Sequence, residues 1–136
     1  MATWNKFYNF IGQLALKNHN LNTDTIRIML TNEQPLQTDT LKGDMAELSG
    51  CTGYTAGGED SQNLATETTG TLTVTATDIT WTAGADWGSA FRFAVAYNDT
   101  GATKYLVGWY DYLSSITLKS GEQFKVDFGA TWFTIA

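Results

Sequence analysis

The residues best able to do chemistry in this chain are few, and their neighbours limit what they could do. His19 is the sole histidine and Cys51 the sole cysteine. A serine or cysteine nucleophile needs an imidazole base at its side and a third group to orient that base. His19 stands in Asn18-His19-Asn20 with no such motif around it, and reads as a solvent-exposed or capping residue. Cys51 lies in the glycine-rich run Gly50–Gly58 and lacks the local signature of a thiol enzyme. One thiol and one imidazole cannot complete a tetrahedral site of soft ligands, and a single cysteine forms no internal disulfide. Carboxylates need separate weighing, because a glycosidase requires only two that face each other across a sugar bond. Asp86, Asp99, Asp111, Glu122 and Asp127 fall on or near expected strands, but their spacing identifies no facing pair. Asp111, inside Trp109-Tyr110-Asp111-Tyr112, is the most suggestive, since the flanking rings could stack on sugar. Between inward-facing neighbours it reads more simply as a solvent-facing position. The expectation is a chain with no catalytic residue, no cofactor and no metal.

Two further features invite a ligand. The run from Gly50 to Gly58 is glycine-rich, but a phosphate cradle needs a Lys-Ser/Thr pair opening a helix, and a dinucleotide turn needs a strand before it and a helix after it. Neither context is present, so the run reads as a surface loop anchored by Tyr54. The five Trp, six Tyr and seven Phe residues admit a carbohydrate-binding module, in which exposed planar rings carry the sugar. Trp87, flanked by glycine and aspartate in an expected turn, is the best candidate for an exposed ring, and Trp109 is the other ring on which glycan binding would depend.

Charge narrows the partners. The net charge of −6 and eight scattered Lys and Arg residues argue against a broad phosphate-binding face, so nucleic acid is not an expected partner. No apolar run reaches the length of about 20 residues that spans a bilayer. With no leader segment recognisable, the expected place of synthesis is a cytoplasm.

The elements that must position these residues follow from periodicity. Trp4, Phe7, Tyr8, Ile11, Leu14 and Ala15 recur at spacings of three and four, which predicts one amphipathic helix over about 3–16 with Thr3 as its cap. Its apolar stripe is expected to pack on the rest of the chain. Thr25–Thr31 alternates, with Ile26, Ile28 and Leu30 inward and Arg27 and Met29 outward. Residues 36–48 read as a loop with a helical turn near Asp44–Leu48. Thr71–Trp81 changes phase near Asp78, which predicts a bulge or break there. Phe91, Phe93, Val95 and Tyr97 form one bulky face of a strand that turns at Asn98-Asp99-Thr100-Gly101 and returns through Lys104–Tyr112. After Ser114-Ser115 a further run, Ile116–Leu118, leads on, and Gln123–Phe128 and Thr131–Ile135 close the chain. About seven or eight short strands with frequent turns predict a mainly β fold. The expected architecture is an antiparallel, jelly-roll-like β-sandwich in one domain over residues 1–136, the sandwich occupying about 24–136.

Several stretches carry a resemblance. Trp4-Asn-Lys-Phe7, Thr25-Ile-Arg-Ile-Met-Leu-Thr-Asn32, Gly53-Tyr-Thr-Ala-Gly-Gly58 and Phe91–Thr100 are four of them. Trp81-Thr-Ala83, Gly108-Trp-Tyr-Asp-Tyr112, Gly121–Phe128 and the terminal Thr-Ile-Ala complete the set. Together they resemble a family of small structural proteins of tailed bacteriophages. The resemblance implies a virion protein, most simply a head decoration or cement protein made in the bacterial host cytoplasm. It further implies a dimer or trimer on the capsid surface that bridges copies of the major capsid protein. A tail or fibre component is the alternative within the same resemblance, and a glycan-binding sandwich module the alternative outside it.

Overall fold

The computed structural model describes residues 2–136. Strands hold 40% of the chain and helix 8%, so antiparallel sheets carry the fold. Among the described residues there are ten strands, more than the pattern predicts, because several pair over only two to four residues. In order they are β1 (Thr3–Lys6), β2 (Ile26–Thr31), β3 (Glu59–Asp60), β4 (Leu64–Thr68) and β5 (Thr71–Thr75), then β6 (Ile79–Thr82), β7 (Phe91–Asn98), β8 (Leu106–Ile116), β9 (Gln123–Val126) and β10 (Phe133–Ile135). Among the described residues the one α-helix, α1 (Tyr8–Ala15), follows β1. A five-stranded sheet runs β1-β8-β7-β2-β3, a three-stranded sheet β10-β5-β4, and β6 pairs with β9. The sheets do not close on themselves.

The N-terminus departs from its helical periodicity. Thr3–Lys6 pairs with Gly108–Asp111 of β8, so Thr3 caps nothing and Trp4 sits on an edge strand. Trp4 there stacks on Phe133 at 5.4 Å and meets Trp132 edge-on at 5.3 Å. Strand pairing and ring burial outweigh a helix propensity worth tenths of a kcal/mol per residue. The helix starts only after Phe7, whose amide donates to the carbonyl of Val107.

The central strands explain the next departures. Ile26, Ile28 and Leu30 join side chains from the two smaller sheets, Val74, Ile79, Trp81 and Val126 among them, in one apolar cluster. On the opposite face Met29, Phe93, Val95, Tyr97 and Trp109 form a second cluster with Phe7 and Met45. Met29 therefore points into a core and not to solvent. The connection after β2 lies over that second face. Leu48 donates to the carbonyl of Leu30, and Thr31 Oγ1 donates to that of Ala46. A sheet covered on both faces loses the apolar-polar alternation that marks a half-solvated one. The single turn in this connection is a 3₁₀ turn at Lys42–Asp44, ahead of the expected Asp44–Leu48, because Asp44 Oδ2 accepts from the amides of Thr40 and Leu41.

The β7–β8 hairpin stands where the alternation puts it, but its faces are not uniform. Phe91 pairs with Ile116 while Phe93 pairs with Asp111, so residues 112–115 of β8 bulge away from β7. Leu113 takes φ 73° at this bulge. Ser114-Ser115 thus belongs to the irregular end of β8 and starts no new strand. The shift turns Phe91 into the first cluster beside Ala94 and Ala96, away from Phe93, Val95 and Tyr97. The phase change near Asp78 is a break: β5 and β6 lie in different sheets.

Candidate interaction surface

The residues singled out for chemistry are dispersed, and each is held by local partners. His19 is not exposed: it is 4% accessible, packed against Phe10 and Tyr105. Its Nδ1 lies 3.0 Å from Asn98 Nδ2, which also donates to Asp24 Oδ2 at 2.8 Å. Among the described residues its Nε2 has no partner. Burial lowers the imidazole pKa, and the nearby Asp24 carboxylate opposes that shift only in part. The short polar run around His19 carries no signal of this burial, since Phe10, Asn98 and Tyr105 supply the cover.

Cys51 is buried, its Sγ near the carbonyls of Ser49 and Ser89. Asp111, half-buried, accepts two hydrogen bonds from Arg92, at 2.8 and 3.0 Å, which hold its carboxyl below the usual range. Asp99 is likewise held low by Lys104 and Arg27, at 2.8 and 2.9 Å. Asp86, Glu122 and Asp127 accept from the backbone amides of Ser120, Lys119 and Gly129. Each of the five carboxylates therefore fastens a turn or a strand pair.

The two candidate sugar-stacking rings are interior. Trp87 is 3% exposed and its Nε1 donates to the carbonyl of Thr52; Trp109 is 5% exposed and lies 4.6 Å from Phe7. A buried ring offers no face to a glycan. Tyr54 does anchor its loop, donating to Glu47 Oε2 at 2.6 Å and accepting from the amide of Leu30 at 3.0 Å. Burial and the Glu47 carboxylate push the Tyr54 phenol above its usual range. Burial pushes Tyr97 up to about 12. Among the described residues no three His, Cys, Asp or Glu side chains gather as donors to a metal ion.

The fold also leaves some large apolar side chains on its surface. In α1 only Phe10 is buried, and Phe7 is buried just before the helix. Tyr8, Ile11 and Ala15, spaced by three and four, point outward with Leu16 beyond them. Tyr8 is 63% and Leu16 69% exposed. Tyr8 donates through its hydroxyl to Gln37 Oε1 at 2.8 Å, which ties the loop bearing Leu36 (58% exposed) against the helix. On its other side α1 borders a groove of about 520 Å³ lined by Trp4, Lys6, Phe10, Ile11, Phe133 and Ile135. The stripe expected to pack inward is thus split, one part seated in the core and the other presented to solvent. The outer edges of β1 and β10, the end strands of two sheets, are also without a strand partner. Among the described residues no helix is long and apolar enough to cross a membrane. No family model, no curated protein and no solved structure matches this chain.

Proposed function

We propose that this chain is a non-enzymatic structural protein of a bacteriophage virion that decorates the outside of the head shell. There it bridges neighbouring copies of the major capsid protein as a dimer or trimer. The observation that carries the reading is the exposed apolar face of α1, with Tyr8, Ile11 and Leu16 beside Leu36. Clustered apolar side chains of this kind on a small acidic protein favour a protein surface as the occupant. The sequence resemblance then supplies the kind of assembly. We further read the five-stranded sheet and the two smaller ones as an open, jelly-roll-like sandwich, because side chains from all three meet in one apolar cluster.

A decoration protein acts by mass action. Binding the assembled shell and not its separated subunits stabilises the shell by about 2.7 kcal/mol per site when free protein stands at 100 times Kd. The test is to add purified protein to particles that lack it and image them. Regular density at the symmetry axes of the shell, with a higher temperature of shell disruption, is the expected outcome. Density confined to the tail would transfer the protein to the tail or fibre. Bare particles in the presence of folded protein would overturn a role in the virion.

A further inference from the structure

Among the described residues His19 is the buried titratable side chain left with an unsatisfied nitrogen. The ring is 4% exposed, with Phe10 of α1 on one side and Tyr105, at the entry to β8, on the other. Its Nδ1 faces Asn98 Nδ2 at 3.0 Å, and a side-chain amide nitrogen can only donate. Nδ1 is therefore the acceptor, and the ring proton sits on the unpartnered Nε2.

Asn98, itself 3% exposed, is committed on every side. Its Nδ2 also donates to Asp24 Oδ2 at 2.8 Å and approaches the carbonyl of Asn18 at 3.3 Å. Its Oδ1 accepts from the amide of Thr100 at 3.0 Å. The Thr100 hydroxyl accepts from the amide of Thr25 at 2.7 Å, and the Asp99 amide donates to the carbonyl of Thr25 at 2.8 Å. One side chain thus ties the imidazole to the turn that begins at Asn98, and that turn is tied to the start of β2.

A second proton on the ring breaks this chain of bonds at its first link. Nδ1 becomes a donor facing the Asn98 NH2 group, so two donors meet in a buried site. Turning the Asn98 amide over would offer its oxygen to the ring. The same rotation would set that oxygen against the Asp24 carboxylate and leave the Thr100 amide facing NH2. Asp24, which also accepts from the Asn20 amide at 2.8 Å, is the anion within reach of the charged ring. The other ionisable groups around the site are Tyr105, Lys17 at the end of α1, and Asp99 with its partners Arg27 and Lys104 on the turn side. Lys17, Asp24, Asn98, Thr100 and Tyr105 line one polar concavity of about 350 Å³, which gives solvent a way in when the turn moves.

We propose that His19 and Asn98 form an acid-released latch. Protonation of the imidazole frees the Asn98 amide, lets the ring pair with Asp24, and opens the turn after β7 from the start of β2 while the sheet stays paired. The latch is internal to the chain and does not depend on the decoration reading. The closed turn holds the neutral ring and the open turn the charged one. Opening is therefore constant above pH 6.5 and rises as pH falls from 6.5 toward the lowered folded-state value.

The experiment follows imidazole nitrogen shifts and backbone amide exchange by NMR on the full chain, from about pH 7.5 to about pH 5, in wild type and H19Q. Glutamine can present a carbonyl oxygen to Asn98 but takes up no proton. The neutral wild-type ring is expected as the Nε2–H tautomer. Protection factors, corrected for the pH dependence of intrinsic exchange, are expected to fall at Thr25, Asp99 and Thr100 by up to about tenfold per pH unit below 6.5. Protection along the β2–β7 pairing is expected to hold, and H19Q to show no such fall. A neutral ring protonated on Nδ1, or turn amides that stay protected while the imidazole titrates, would overturn the latch. Loss spread evenly over the sheet, or the same fall in H19Q, would overturn it too. Should H19Q not fold, the tautomer and the exchange pattern of wild type still decide between these outcomes.

Discussion

Among single residues, His19 links structure to pH most directly. It is buried, its Nε2 has no partner among the described residues, and its folded-state pKa lies below the ordinary value of 6.5 because burial disfavours the charged ring. Between that lowered value and 6.5 the unfolded chain binds a proton that the folded chain does not. Stability contributed by the neutral ring is therefore present above pH 6.5 and declines as pH falls through that window, where Asp24 and Tyr105 are the ionisable groups nearby. Asp44, Asp78, Asp99 and Asp111, whose pKa values are lowered from 3.8, add a separate loss only in stronger acid. NMR titration of the imidazole is expected to show a midpoint below 6.5, and urea unfolding at pH 7 and pH 5.5 to show lower stability at the lower pH. An imidazole midpoint above 6.5, with stability rising on acidification, would mean that the ring is held charged. In the sequence, His19 looks like a surface residue because its polar neighbours in the chain say nothing about Phe10 and Tyr105 closing over it.

For the elements, the sharpest constraint is the seam between β1 and β8. Gly108 pairs opposite Lys6, and a Cβ there would stand 2.5 Å from the carbonyl oxygen of Asn5 and closer still to the Trp4 ring. Gly108→Ala is thus expected to push β1 off β8 and expose the packing of Trp4 on Phe133 and Trp132. Clashes of this kind in a packed core cost about 1–3 kcal/mol. Hydrogen exchange is expected to rise selectively at the amides of β1 and to spread to the start of α1, while the β2–β7 pairing stays protected. Unchanged protection at Thr3–Lys6 would show that the strand adapts in place. Periodicity detects this segment but mistakes its kind. Trp4, Phe7, Tyr8 and Ile11 satisfy a helical spacing, while the pairing of Trp4 opposite Tyr110 depends on a strand a hundred residues away.

On the scale of the whole molecule, two apolar clusters on opposite faces of the five-stranded sheet share the strands β2, β7 and β8. Loss of the sheet must expose both, so unfolding is expected to be one cooperative transition. Cys51 belongs to the first cluster and reports on it. Its reaction with a thiol reagent is expected to follow the loss of near-ultraviolet circular dichroism across a urea series. Labelling well before that loss would mean that the loop carrying Cys51 opens alone. The same organisation decides what stays at the surface. The six ion pairs among the described residues and both clusters are internal to the chain, while Tyr8, Leu16, Leu36, Leu64 and Leu113 stay exposed.

By itself the sequence determined the β-rich class, the β7–β8 hairpin and its turn, the inward set Ile26, Ile28 and Leu30, and the break near Asp78. Each rests on local alternation or on turn residues whose conformational preferences act over a few positions. Which face of a strand meets solvent was decided by tertiary structure alone. Met29 and Trp87 are buried because the connection after β2 and the loop carrying Thr52 close over them, contacts between segments far apart in the chain. The same holds for the surface left open. An amphipathic stripe announces that α1 must bury apolar area, but only the packing of Phe10, with Tyr8, Ile11 and Leu16 left outside, divides that area between the core and the solvent-facing surface.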